Sequence, residues 1–123
     1  MHVLDFRVAS SRIGSTAVVA VAGELDMHTA KQLAETLRDV SEEDARCVVI
    51  DLLETTMVDS AGLGVLASTA KAVQANGGTF ILAADDPQFL RTLRITGLDR
   101  LFDVKPTLTQ ALDHVVDRSA LAS

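Results

Sequence analysis

Three short apolar runs, Ala17-Val18-Val19-Ala20-Val21-Ala22, Cys47-Val48-Val49-Ile50-Asp51-Leu52 and Thr79-Phe80-Ile81-Leu82-Ala83, are separated by stretches whose apolar residues recur at helical spacing. Runs of this length read as buried strands, and strands joined through helices lie parallel, because a parallel connection needs a crossover. The helical stretches have inward faces of Ala30, Leu33, Ala34, Leu37 and Val40; of Leu63, Leu66, Ala67, Ala70 and Val73; of Phe89, Leu90 and Leu93; and of Ala111, Leu112, Val115 and Val116. Ahead of the first run, Val3–Val8 and the polar turn Ser10–Ser15 read as the opening of a β-hairpin, while Leu101–Val104 reads as a brief last strand. The expected order is β-β-α-β-α-β-α-β-α, an α/β fold with a mixed sheet of about five strands and about four helices. It forms one domain over residues 1–118, with 119–123 as a tail.

Boundary signals agree with this frame. Gly23-Glu24-Leu25-Asp26 closes the second strand, and Thr29 with Gln32 reads as a capping box for the first helix. Asn76-Gly77-Gly78 stops the second helix, Asp86-Pro87 starts the third, Gly97 ends it, and Thr107 with Gln110 starts the fourth.

The segment Val58-Asp59-Ser60-Ala61-Gly62-Leu63-Gly64-Val65-Leu66 carries the chemistry. Ser60 falls where the third strand gives way to the second helix. There a serine reads as an N-cap, and the free amides and positive dipole end favour a phosphoryl group. Gly62 and Gly64 fall in the first helical turn, where each glycine costs about 0.5–1 kcal/mol relative to alanine. Their presence implies close approach, either of another part of the fold or of a partner reaching the serine.

Charge and composition exclude several functions. A net charge of −6, with no Trp or Tyr and four Phe, leaves neither a basic groove nor stacking platforms for nucleic acid. The longest apolar run is far shorter than a membrane span, and no leader pattern opens the chain, so a soluble, unexported protein is expected. Cys47, the single cysteine, reads as a small core residue rather than a disulfide or metal ligand. No metal or cofactor of the protein's own is expected, since His2, His28 and His114 are scattered without ligand spacing.

Three segments together resemble the STAS domains of bacterial anti-sigma factor antagonists. Gly23-Glu24-Leu25-Asp26-Met27-His28-Thr29-Ala30 is similar to the family's first-helix signature, Val58–Leu66 to its phosphorylation loop, and Arg94-Ile95-Thr96-Gly97-Leu98 with Leu101-Phe102 to its C-terminal signature. The resemblance implies a cytoplasmic partner-switching protein and not an enzyme. In such a pathway the unmodified form binds an anti-sigma factor, often a serine kinase that brings its own ATP and Mg²⁺, and so frees a sigma factor. Phosphorylation of Ser60 ends that binding, and a serine phosphatase restores it. Many members carry a second hydroxyl residue where this chain has Ala61, which narrows the acceptor to Ser60. The partner-binding set is Asp26, Met27, His28, Met57, Val58, Asp59, Ala61, Gly62 and Leu63. Asp59 either orients the serine and meets a cation on the kinase, or serves as a cap; Asp26 either borders the loop or only caps the first helix.

Other readings compete. A STAS scaffold in a lipid-transport or stress complex shares the resemblance without the phosphate. A receiver domain would use Asp51 as phosphoacceptor, but Asp5 lacks the acidic neighbour that would hold Mg²⁺ and Ala83-Ala84 replace its hydroxyl residue. A hydrolase would use Ser60 as nucleophile, yet Val58 occupies the first glycine position of the Gly-x-Ser-x-Gly elbow. Oligomeric state is not legible from the sequence.

Overall fold

A computed structural model describes residues 6–42 and 45–122 of the chain. The described elements are β1 (Arg7–Ile13), β2 (Thr16–Leu25), α1 (Ala30–Glu42), β3 (Cys47–Val58), α2 (Ser60–Ala75), β4 (Thr79–Ala83), α3 (Pro87–Thr96), a 3₁₀ turn (Leu98–Arg100), β5 (Asp103–Lys105) and α4 (Leu108–Ala122). The five strands lie in the order β1-β2-β3-β4-β5. β1 and β2 are antiparallel, and every later neighbour is parallel, as helical crossovers require. This is the mixed α/β sheet with four helices that the alternating pattern implies.

Strand alternation divides the core in two. Ala17, Val19 and Val21 of β2, Val48, Ile50 and Leu52 of β3, and Phe80 and Leu82 of β4 face α1, α2 and α3, meeting Leu33, Leu37, Val40, Leu66, Ala70, Phe89 and Leu93. Phe102 closes this layer, its ring centroid 5.9 Å from that of Phe80. On the opposite face Val18, Cys47, Val49, Ile81 and Ala83 meet Ala111 and Val115 of α4. Because both faces of the central strands are covered, those strands read as continuous apolar runs rather than alternating ones.

Several boundaries differ from the sequence expectation, each for a physical reason. Ser10–Ile13, expected as a turn, continue β1, and the reversal is confined to Gly14 and Ser15. β1 is an edge strand with mostly exposed side chains, so serines there forfeit no burial and the pattern of polar residues imitates a loop. Val3–Asp5 of the expected strand lie outside the described residues. β2 runs on through Gly23 to Leu25, and β3 runs six residues beyond Leu52 to Val58, because the two strands pair as far as Leu25 and Val58 despite register shifts between Ala20 and Ala22 and between Gly23 and Glu24. β5 is Asp103–Lys105 rather than Leu101–Val104, since Leu98–Arg100 wind into the 3₁₀ turn and Leu101 N–H bonds the Leu98 carbonyl at 2.9 Å. Val116, expected inward on α4, is 65% exposed, because α4 meets the sheet through Ala111 and Val115 with Leu108 and Leu112 beside them, and Val116 lies outside that stripe. The α4 backbone continues helically through Ala122, into the stretch expected as a tail.

Other signals stand where they were expected. Asp86 caps α3 by accepting the Phe89 N–H at 3.0 Å, Pro87 follows it, and Thr107 accepts the Gln110 N–H at 3.1 Å. α2 stops as Gly77 takes φ +78°, with Gly78 N–H returning to the Val73 carbonyl at 2.9 Å.

These placements set the cost of two substitutions. Phe80→Ala, which empties a fully buried ring site in the larger core layer, is expected to cost about 3–5 kcal/mol. Val116→Ala should stay within about 0.5 kcal/mol of the parent. Urea unfolding of both variants checks the assignment, and an equal loss from Val116→Ala would mean that α4 packs in another rotation.

Candidate functional site

The C-terminal ends of β2 and β3 lie side by side, with Leu25 paired to Val58. Each strand passes directly into a helix, so the two connecting loops emerge together. Asp59 N–H bonds the Leu25 carbonyl at 3.0 Å, extending the pairing one residue into the second loop. Asp26, Met27 and His28 on one side and Met57, Val58, Asp59 and Ser60 on the other are thereby brought to one end of the sheet.

Asp26 organises the first loop. Its carboxylate accepts the His28 N–H at 2.9 Å and the Thr29 N–H at 3.0 Å, while the Ala30 N–H bonds its backbone carbonyl at 2.8 Å. The Thr29 hydroxyl accepts the Asp26 N–H at 2.8 Å and donates to the Glu24 carbonyl at 2.7 Å. The expected Thr29–Gln32 capping box does not form: the Thr29 side chain turns back towards the strand, and Asp26 binds the amides of the turn ahead of α1. The Thr29 N–H bond holds the Asp26 carboxyl below its ordinary 3.8, with His28 N–H and the Thr29 hydroxyl acting in the same direction.

Asp59 caps α2 itself. It sits at the N-cap and its carboxylate accepts the N–H groups of Ala61 at 2.9 Å and Gly62 at 3.1 Å. Ser60, expected as the cap, is instead the first residue of the helix. The carboxylate one position earlier has taken the amides that a serine cap would use. The Ser60 side chain is exposed, and among the described residues its hydroxyl has no hydrogen-bond partner.

The two glycines of this turn play different parts. A Cβ on Gly62 would fall 2.7 Å from Leu25 Cγ and 3.0 Å from the Leu25 carbonyl oxygen, so Gly62 lets α2 lie against the end of β2. Gly64 is exposed and a Cβ there would meet nothing within 4 Å.

Of the residues expected to meet a partner, Met27 and Met57 are 64% and 38% exposed. His28 is also exposed, while Asp26, Val58, Asp59 and Ala61 are half-buried beside them. Gly62 is buried and offers no surface, and Leu63 leans into the larger core layer. The sequence reading missed a groove of about 300 Å³ that runs from Thr55, Thr56, Met57 and Val58 to Asp85, Asp86 and Pro87. Asp86-Pro87 signalled a helix start, but only the parallel pairing of β3 with β4 brings it near the Ser60 loop.

Asp51 does not occupy the end of its strand. β3 continues seven residues past it, and its carboxylate accepts the Leu53 N–H at 3.0 Å, which removes the geometry a receiver domain requires. Among the described residues no group of three or more His, Cys, Asp or Glu side chains is gathered as a metal ion would need. No described helix is long and apolar enough to cross a membrane.

A single mixed sheet, helices on both faces and a serine displayed at a strand-to-helix junction define a small α/β domain. The STAS domain family model matches residues 7–111, and the chain belongs to that family. Among curated relatives, the anti-sigma-B factor antagonist of Listeria monocytogenes is 31% identical over 87 residues, covering 71% of this chain and 76% of that protein. The anti-sigma-B factor antagonist of Staphylococcus aureus is 33% identical over 86 residues, covering 70% and 80%. A crystal structure of an anti-sigma factor antagonist from Mycobacterium paratuberculosis superposes with a TM-score of 0.83 at 32% identity, covering 90% of this chain and 94% of that one.

The geometry makes two quantitative expectations. Gly64→Ala should stabilise the domain by about 0.5–1 kcal/mol, since alanine favours the helix and has room, whereas Gly62→Ala should destabilise it by pressing on Leu25. Chemical denaturation of the pair separates the two roles. Because the folded Asp26 carboxyl titrates below 3.8, its hold on the loop is complete above that value and is lost as the pH falls through the lowered pKa. Carboxyl NMR should place the Asp26 midpoint below 3.8 and return it upward in Thr29→Val; an unchanged midpoint would contradict the hydrogen-bond account.

Proposed function

We propose that this protein is an anti-sigma factor antagonist whose unmodified form binds an anti-sigma factor that is also a serine kinase, and that phosphorylation of Ser60 ends the binding. The observation that carries the proposal is the division of labour at the start of α2. Asp59 satisfies the helix amides, and Ser60 is left exposed with a hydroxyl that no described group engages. The names of the Listeria and Staphylococcus relatives support the antagonist part of this reading. The kinase would supply ATP and Mg²⁺, a serine phosphatase would reverse the modification, and the cytoplasm is where such partners and a sigma factor meet.

The off-switch follows from charge and space. The two exposed methionines, Met27 and Met57, flank the serine loop, giving a docking partner apolar surface around a polar centre. Phosphoserine adds about −1.5 to −2 charges at that centre, next to Asp59 and in a chain already at −6. The Ala61 and Gly62 amides at the helix start are already bonded to Asp59. The phosphate is therefore left facing the partner, where a buried unpaired charge costs several kcal/mol. Gly64 extends the open surface one turn further along α2, where any side chain would stand between the helix and a docked protein.

The test is phosphate transfer and binding with an anti-sigma kinase and ATP·Mg²⁺. Mass spectrometry should locate one phosphate at Ser60; Ser60→Ala should bind persistently, and Ser60→Asp should weaken binding by at least about tenfold, or ~1.4 kcal/mol. Gly64→Ala should weaken binding while raising stability. Phosphate on Thr55 or Thr56, or binding unaffected by Ser60→Asp, overturns the proposal; a chain that accepts no phosphate from any such kinase would favour a scaffold instead.

A further inference from the structure

The two edges of the sheet are built differently. β5 is three residues long, begins with Asp103, ends with Lys105 and is followed by Pro106, so little of it is open to another strand. β1 is seven residues long and pairs with β2 without a register shift. It carries no proline or bulge, and its charged side chains are confined to Arg7 and Arg12 near its ends, so the middle of the strand lacks the devices that keep an edge from pairing. Among the described residues no strand lies along its outer side. Every β1 side chain except Val8 is exposed, and Ile13, a large apolar group, is 59% exposed.

We propose that β1 is a self-association edge, which pairs antiparallel with β1 of a second copy and joins two five-stranded sheets into one. Strand geometry narrows the register. In an antiparallel pair, residues directly opposite share a face, so a symmetric pairing must centre on a residue rather than between two. Centred on Ser10, the middle of the strand, it uses all seven residues, with Arg7 opposite Ile13, Val8 opposite Arg12, Ala9 opposite Ser11 and Ser10 opposite itself. No guanidinium then faces another. Centring on Arg7 or Arg12 would set like charges directly across the axis, and centring on Ala9 or Ser11 leaves two residues at one end of each strand without a β1 partner. The arginines that discourage other registers are thus compatible with this one.

Analytical ultracentrifugation of the full chain should show a concentration-dependent rise from 13.1 kDa towards twice that mass. Ser10→Lys places two ammonium groups opposite each other and should weaken the dimer by about tenfold, while Ser10→Thr should keep it. Ser10 is exposed, so circular dichroism should show both variants folded. Ser10→Cys should cross-link between copies under mild oxidation and Ser11→Cys should not, since Ser11 faces Ala9; the native Cys47 is buried and adds little background. A parent chain that stays monomeric at every concentration, a Ser10→Lys dimer as tight as the parent, or equal cross-linking through Ser11→Cys each overturns the proposal. None of these measurements involves Ser60, so the result stands apart from the phosphorylation reading.

Discussion

The parallel pairing of β2 with β3 is the constraint on which the site depends. Neighbouring strands lie about 4.8 Å apart, so two loops leaving adjacent strand ends on the same side have no freedom to separate. The pairing persists to Leu25 and Val58 and is extended by the Asp59 N–H bond to the Leu25 carbonyl at 3.0 Å. Leu25 is fully buried and also receives Gly62 at van der Waals range. A single leucine therefore ties the end of one strand to the start of the helix that follows the other. The two register shifts further back reconcile a longer β3 with a shorter β2, so that their ends coincide.

An aspartate organises each loop. A helix start leaves amides without intrahelical acceptors; Asp59 meets two of those of α2, whereas Asp26 holds amides of the turn that leads into α1. Asp26 takes the His28 and Thr29 N–H groups, and Asp59 takes those of Ala61 and Gly62. This moves the serine out of the capping role. A serine that caps its own helix must break that bond to react, whereas Ser60 is spared that cost. The Asp59 carboxylate beside it also offsets the positive end of the helix dipole. In the proposed switch the fold therefore gives a phosphate little reason to be retained and little reason to unfold around it, and the effect is read by whatever docks there.

What was legible in the sequence depended on whether a pattern had one physical cause. The apolar runs of β2, β3 and β4 arise from burial on both faces, and their short length and β-branched residues set them apart from a buried helix. Asp86-Pro87 and Gly97 are similarly unambiguous, one by capping and one by a φ of +78°. The failures came where two causes share a pattern. Serines in β1 look like a turn because an exposed edge and a loop both tolerate polar residues. Asp59-Ser60 and Asp26 with Thr29 each offer two good caps within a few residues, and only the strand pairing decides which carboxyl or hydroxyl is in reach. Val116 obeys the helical period, yet α4 meets the sheet through Leu108, Ala111, Leu112 and Val115, and Val116 falls outside that stripe. The groove between Thr56 and Asp86 could not be read at all, since it exists only because β3 lies beside β4.

The direction of β1 connects the sheet edge to the serine. β1 runs antiparallel to β2, with Arg7 beside Ala22 towards the Ser60 end and Ile13 beside Thr16 at the far end. Pairing two copies through β1 about Ser10 reverses the second molecule, because the symmetry axis stands normal to the sheet. The two Ser60 loops then point to opposite ends of the joined sheet. Such a dimer contributes no residue of one copy to the site of the other, and it leaves both loops uncovered. It would present two independent docking surfaces too far apart in orientation for one small partner to bridge, so each serine would be modified and read on its own. Self-association would change how many partners one assembly holds without changing the affinity of either site.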